Sequence, residues 1–131
     1  MSPELNFAMI ALQRGFDAKV LLRGGEFLFR EGDEADALYI VERGALRIIS
    51  GSIVYETVQG GGIVGEMAII DEGMPRSASV IAGTYAELIK ISPSDFTALI
   101  ADEPEFALMV MRVMARRLRL MNQRYRPQTA W

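Results

Sequence analysis

The chain has 131 residues, half of them hydrophobic and 24% charged, which is the size and balance of one globular domain. Its formal net charge of −3 excludes nucleic-acid binding driven by overall positive charge. It contains no cysteine and no histidine, which excludes disulfides, thiol nucleophiles, iron–sulfur clusters, the commonest zinc sites and a Ser-His-Asp triad.

The N-terminal stretch MSPELNFAMIALQRG lacks the basic start and long apolar run of a signal peptide. No segment approaches the ~20 apolar residues of a membrane span, so a soluble, cytoplasmic protein is expected. Ser2 as cap, Pro3 at the first helical position and Glu4 in the first turn predict a helix over residues 1–16 that ends at Gly15. Residues 18–91 read as β structure. Ten of the 12 glycines lie between Gly24 and Gly73 and punctuate short apolar runs. Those runs are Val20–Leu22, Phe27–Phe29, Leu38–Val41, Leu46–Ile49, Ile53–Val58, Ala78–Ala82 and Ala86–Ile91. Their spacing predicts a sandwich or barrel, with a tight hairpin at Ser50-Gly51-Ser52. Helices return over residues 92–126. Ser92-Pro93-Ser94-Asp95 is a helix start, and Pro104 opens a second, longer helix that reaches about Tyr125 and stops before Pro127. The whole chain, 1–131, is read as one domain.

The last helix carries two apolar stripes. One is Ala107, Val110/Met111, Met114, Leu118, Met121 and Tyr125; the other is Phe106, Met109, Val113 and Leu120. One packing partner needs only one stripe. Two stripes point to two partners, the β domain plus a second chain or a ligand; the alternative is a wider core contact within the one chain. Six arginines (112, 116, 117, 119, 124 and 126) follow Glu105 with no acid among them. They read chiefly as a solvated face, with favourable charge near a helix C-terminus.

The chemistry sits in Gly60–Val80, GGGIVGEMAIIDEGMPRSASV. A glycine at position 65 lets the backbone come close to a ligand at the start of a short helical turn. Backbone N–H groups there are donors for an anion. Arg76 offers a fixed, bidentate fork that fits a phosphate, and Glu66 is an acceptor for a sugar hydroxyl. The plainer alternative pairs Arg76 with Glu66 or Asp71, although a buried ion pair is a poor device for stability.

The pattern G-E-x-A-[LI]-…-P-R-[ST]-A-[ST]-V resembles the phosphate-binding cassette of cyclic-nucleotide-binding domains. The upstream block from Gly25-Glu26 through Gly32-Asp33 and Leu38-Tyr39-Ile40-Val41 to Gly44 is similar to the same family. So is Met114-Ala115-Arg116-Arg117-Leu118, which looks like the start of a dimerisation helix. The resemblance implies a mainly β fold, an eight-stranded antiparallel jelly-roll barrel with an N-terminal helix and two C-terminal helices. It implies that Glu66 binds the ribose 2′-hydroxyl and that Arg76 binds the cyclic phosphate, helped by Ser77 and Ala78. Gly65, Met67 and Ala68 would line the cassette turn, and Val64 and Val80 would touch sugar and base. Arg117, Met121 and Asn122 would approach the purine. Ile63-Val64 stand where the family often has aromatics, and Gly60-Gly61-Gly62 is a looser turn than usual.

The expected ligand is cAMP or cGMP, with cAMP favoured, and no cofactor, metal or catalytic residue is expected. The chain would relay occupancy through its C-terminal helices to an effector protein or to a second copy of itself. No DNA-binding helix-turn-helix is recognisable after the last helix. Two rival readings stand beside this one: a ligand-free interaction module, and a small carboxylate-based enzyme.

Overall fold

A computed structural model of the chain describes residues 6–125. In chain order the elements are α1 (Phe7–Arg14), β1 (Lys19–Leu22), β2 (Phe27–Phe29), β3 (Leu38–Arg43), β4 (Ala45–Ser50), β5 (Ile53–Gln59), β6 (Ile63–Val64), α2 (Glu66–Ile70), β7 (Ser79–Ala82), β8 (Ala86–Ile91), α3 (Pro93–Asp102) and α4 (Pro104–Tyr125). The strands form two four-stranded antiparallel sheets, ordered β1-β8-β3-β6 and β2-β7-β4-β5. This is the jelly-roll arrangement. The two sheets face each other without a hydrogen-bonded ladder closing them into a barrel among the described residues.

Each of the seven apolar runs became a strand, because β-branched and aromatic residues suit a pleated, half-buried surface. The eighth, β6, is only two residues long, too short to show any alternation. It is placed by pairing Val64 with Tyr39 and Ile63 with Ile40. The β4–β5 hairpin turns at Gly51, where φ is +59°.

The sheet containing β3 and β8 is buried on both faces. Leu38 and Ile40 of β3, Ile89 and Ile91 of β8, and Ile63 of β6 pack beneath the helices with Phe7, Ile10, Phe96, Leu99, Phe106 and Val110. Tyr39, Val41, Ala86, Leu88 and Val64 point the other way and meet Leu46, Val58, Val80 and Ala82 of the second sheet. This explains why Leu38–Val41 is continuously apolar rather than alternating. The helical layer is tied together by Phe106, whose ring meets Phe7 and Phe96 edge-on at 5.6 and 5.7 Å.

Helix ends follow local chemistry. The predicted start of α1 moves: Asn6 is the cap, its Oδ1 accepting from the Met9 N–H at 2.9 Å, and Ser2, Pro3 and Glu4 lie outside the described residues. Gly15 closes α1 at φ +74° as expected. Ser92 caps α3, with Pro93 at its first position. Pro127 lies outside the described residues.

Along α4 the two stripes read from sequence divide differently. Phe106 and Val110 are buried in the helical core, with Met109, Val113 and Met114 packed beside them. Leu120 and Met121 face a cavity. Leu108, Met111, Ala115 and Leu118 form a separate, exposed row. Met111 and Leu118 of this row belong to the first sequence-derived stripe, whereas Leu108 and Ala115 belong to neither. No helix among the described residues is long and apolar enough to cross a membrane.

Candidate functional site

The site begins at Gly65. Its φ of +81° turns the chain from β6 directly into α2, and its missing side chain matters as much as its backbone. A Cβ there would stand 2.7 Å from Arg76 Nη1 and 3.3 Å from the Phe29 ring. The next residue, Glu66, is therefore delivered to the start of a five-residue helix with its carboxylate inside the protein, 1% exposed.

Arg76 arrives from the loop that follows α2. Its main chain is pinned to the β2–β3 connection: its N–H donates to the Asp33 carbonyl at 2.8 Å, and its carbonyl accepts from Gly32 at 2.9 Å. The upstream Gly32-Asp33 pair thus acts structurally on the site. The side chain is 2% exposed. Nη2 donates to the Ala37 carbonyl at 2.6 Å and Nη1 to the Gly65 carbonyl at 3.1 Å. The guanidinium carbon lies 4.0 Å from the Phe29 ring centroid and 6.0 Å from that of Tyr39. Its nearest carboxylate is the largely exposed Asp36, at 3.7 Å. Neither anticipated structural partner, Glu66 or Asp71, forms an ion pair with it. Nε is buried without a hydrogen-bond partner among the described residues. Burial pushes the Arg76 pKa down, and Tyr39 and the nearby carboxylates only partly offset it. A buried cation with an unused donor is suited to receive an anion.

Glu66 is held from the far side by α4. Arg117 donates through Nη1 to Glu66 Oε1, through Nε to Glu56 Oε1 at 3.0 Å, and through Nη2 to the Ile63 carbonyl at 2.6 Å. Arg116 donates to Glu56 Oε2 at 2.7 Å. Burial works against the Arg117 charge; Glu66 and Glu56 outweigh it and leave its pKa above the ordinary value. The carboxylate expected to serve the ligand is thus also a clasp between the β domain and the last helix.

These groups share the wall of one cavity. Gly65, Glu66, Met67, Ala68, Arg76, Ser77, Ala78 and Val80 line it, as do Arg117 and Met121. Two nominated residues do not. Val64 is fully buried in the core between the sheets, and Asn122 is exposed on α4. Phe29, Ile48, Tyr55, Glu56 and Leu120 complete the wall. Sequence reasoning gave none of these five a site role. Phe29, Ile48 and Tyr55 look like ordinary strand hydrophobics, and Glu56 like a solvent-facing polar residue between two apolar ones. Only the fold shows that β2, β4 and β5 converge on the cassette.

The site therefore combines a buried cationic side chain, a buried carboxylate and an apolar wall, presented by a jelly roll. Residues 19–103 match the cyclic nucleotide-binding domain family, and the chain belongs to that family. The cAMP-activated global transcriptional regulator CRP of Salmonella typhimurium is 28% identical over 102 residues, 74% of this chain and 49% of that protein. Lysophospholipase nte1 of Neurospora crassa is 30% identical over 105 residues, 76% of this chain and 7% of that enzyme. The catabolite activator protein of Thermus thermophilus superposes with a TM-score of 0.74 at 31% identity, covering 92% of this chain and 58% of that one. The chain thus spans half or less of the length of these two curated relatives.

Proposed function

We propose that the chain senses a cyclic nucleotide in this cavity, with cAMP preferred to cGMP, and passes its occupancy through α4 to a partner. The observation that carries the reading is the pairing of two buried, oppositely charged anchors in one wall. Arg76 keeps an unused Nε donor, and Glu66 lines the same cavity. A cyclic phosphate meets Arg76 as a charge-assisted, geometrically fixed partner. The ribose 2′-hydroxyl donates to Glu66. The purine then lies toward Ile48, Leu120 and Met121, an apolar strip that contacts either base. The preference for cAMP draws its support from the cAMP-activated regulator among the relatives.

Relay follows from the clasp. Glu66 is shared between the ligand and Arg117, so filling the cavity changes what α4 gains from packing against it. A ligand shifts a conformational equilibrium only through such differential contact. The partner is an effector or a second copy docking on the exposed row Leu108, Met111, Ala115 and Leu118.

The test is calorimetric titration of cAMP and cGMP into the wild type and Arg76→Ala. Binding at micromolar concentration or tighter, stronger for cAMP and abolished by the substitution, is expected. Absence of heat with both nucleotides sinks the proposal, and stronger cGMP binding sinks the stated preference.

A further inference from the structure

Phe29 has no role in the assignments above, yet it touches the centre of the site. It ends β2, its ring is partly buried, and it lines the cavity. The Arg76 guanidinium carbon sits 4.0 Å from the ring centroid, inside the range of a cation–π contact. The same ring packs against the space beside Gly65, where an added Cβ would meet it at 3.3 Å.

Two carbonyls and this ring make the closest contacts to the Arg76 guanidinium, with the exposed Asp36 carboxylate at 3.7 Å and the Tyr39 ring centroid at 6.0 Å farther out. The carbonyls of Ala37 and Gly65 engage one nitrogen each, at one edge of the guanidinium plane. Hydrogen bonds at one edge leave the plane free to rotate about that edge; a flat surface against its face removes this freedom. The result is a guanidinium whose buried Nε is kept free of hydrogen-bond partners among the described residues. An aliphatic residue would fill space at this position but offers no negatively polarised face to a desolvated cation.

The geometry points to Phe29 as a positioning residue for the phosphate anchor, one that fixes the plane of Arg76 and thereby sets affinity for the anionic part of the ligand independently of its base. This rests on the cyclic-nucleotide reading for its ligand, though the stacking itself is a property of the unliganded protein.

The experiment has two arms. In the first, ¹⁵N–¹H spectra of the arginine Nε–Hε groups are recorded without ligand for wild type, Phe29→Leu and Phe29→Tyr, with Arg76→Lys identifying the Arg76 signal. The Arg76 signal is expected to be shifted upfield by the ring in the wild type and Phe29→Tyr, and to move to the ordinary arginine position in Phe29→Leu. In the second, cAMP and cGMP are titrated into the same proteins. Phe29→Leu is expected to weaken both nucleotides by the same factor, roughly 3–30-fold. Phe29→Tyr is expected to stay within about threefold of wild type. An Arg76 signal indifferent to Phe29→Leu overturns the stacking. Unchanged affinity in Phe29→Leu, a loss that Phe29→Tyr shares, or unequal losses for the two nucleotides overturns the positioning role. A ring-shifted Arg76 signal in a wild type that binds neither nucleotide overturns the positioning role through its ligand, and locates the failure in the cyclic-nucleotide reading rather than in the stacking.

Discussion

At the scale of single residues, the site depends on how closely unlike groups approach. Gly65 allows the Arg76 guanidinium to sit against the main chain. Gly65→Ala puts a methyl 2.7 Å from Nη1 at a φ of +81°, so the arginine must move and the backbone is strained. Strain of this kind costs about 1–3 kcal/mol, which denaturant unfolding will register. Nucleotide affinity is expected to fall as well, by about tenfold for each 1.4 kcal/mol of lost anchoring. Glu66 makes a different prediction. Removing one charge-assisted hydrogen bond costs about 1.5–3 kcal/mol of binding, much less than losing the phosphate anchor. Titration of Glu66→Ala with cAMP and 2′-deoxy-cAMP is expected to give the same affinity for both, whereas the wild type prefers the ribonucleotide. Persistent discrimination in Glu66→Ala would move the 2′-hydroxyl contact elsewhere.

At the scale of elements, α4 does three jobs at three positions around its circumference. Phe106 and Val110 bury it on the β domain. Arg117, Leu120 and Met121 bring it to the cavity. Leu108, Met111, Ala115 and Leu118 remain exposed, spaced 3, 4 and 3 residues apart, the repeat of a two-helix seam. Leu118 and Met111 are 56% and 57% exposed, which is costly for side chains of their size unless something covers them. Leu118→Asp places a charge on that row without touching the cavity wall. If the partner is a second copy, sedimentation or light scattering will show a wild-type dimer and a Leu118→Asp monomer, with nucleotide still bound. A wild type that is monomeric at high micromolar concentration, with and without nucleotide, assigns the row to a different protein.

At the scale of the molecule, the cavity joins layers that hardly share sequence neighbours. β2, β4, β5, α2, the loop after it and α4 all contribute to its wall. A ligand filling it is expected to tie the second sheet to the helical layer and so to stabilise the whole fold rather than a loop. With nucleotide at 100 times its Kd, binding linkage adds about 2.7 kcal/mol. For a domain of this length that corresponds to a rise in Tm of roughly 5–15 °C, measurable by calorimetry. Arg76→Ala is expected to show no such rise.

The sequence by itself determined what is local. Seven of the eight strands, the two C-terminal helices, the Gly65 turn and the identities of Glu66 and Arg76 were all legible, since each depends on periodicity, caps or a contiguous motif. The two-residue β6 was not, because its place comes from pairing with β3. The tertiary structure alone decided which residues meet. Arg117 reaches Glu66 across 51 residues, and Arg76 reaches the Ala37 carbonyl across 39. It also decided that Glu56, a polar residue between Tyr55 and Thr57, turns inward to hold two arginines, and that Val64 is buried in the core between the sheets and does not line the cavity. A motif specifies the chemistry a site has available. The packing of one layer on another sets which charges find each other, and here it made the buried Glu66 carboxylate and the last helix partners.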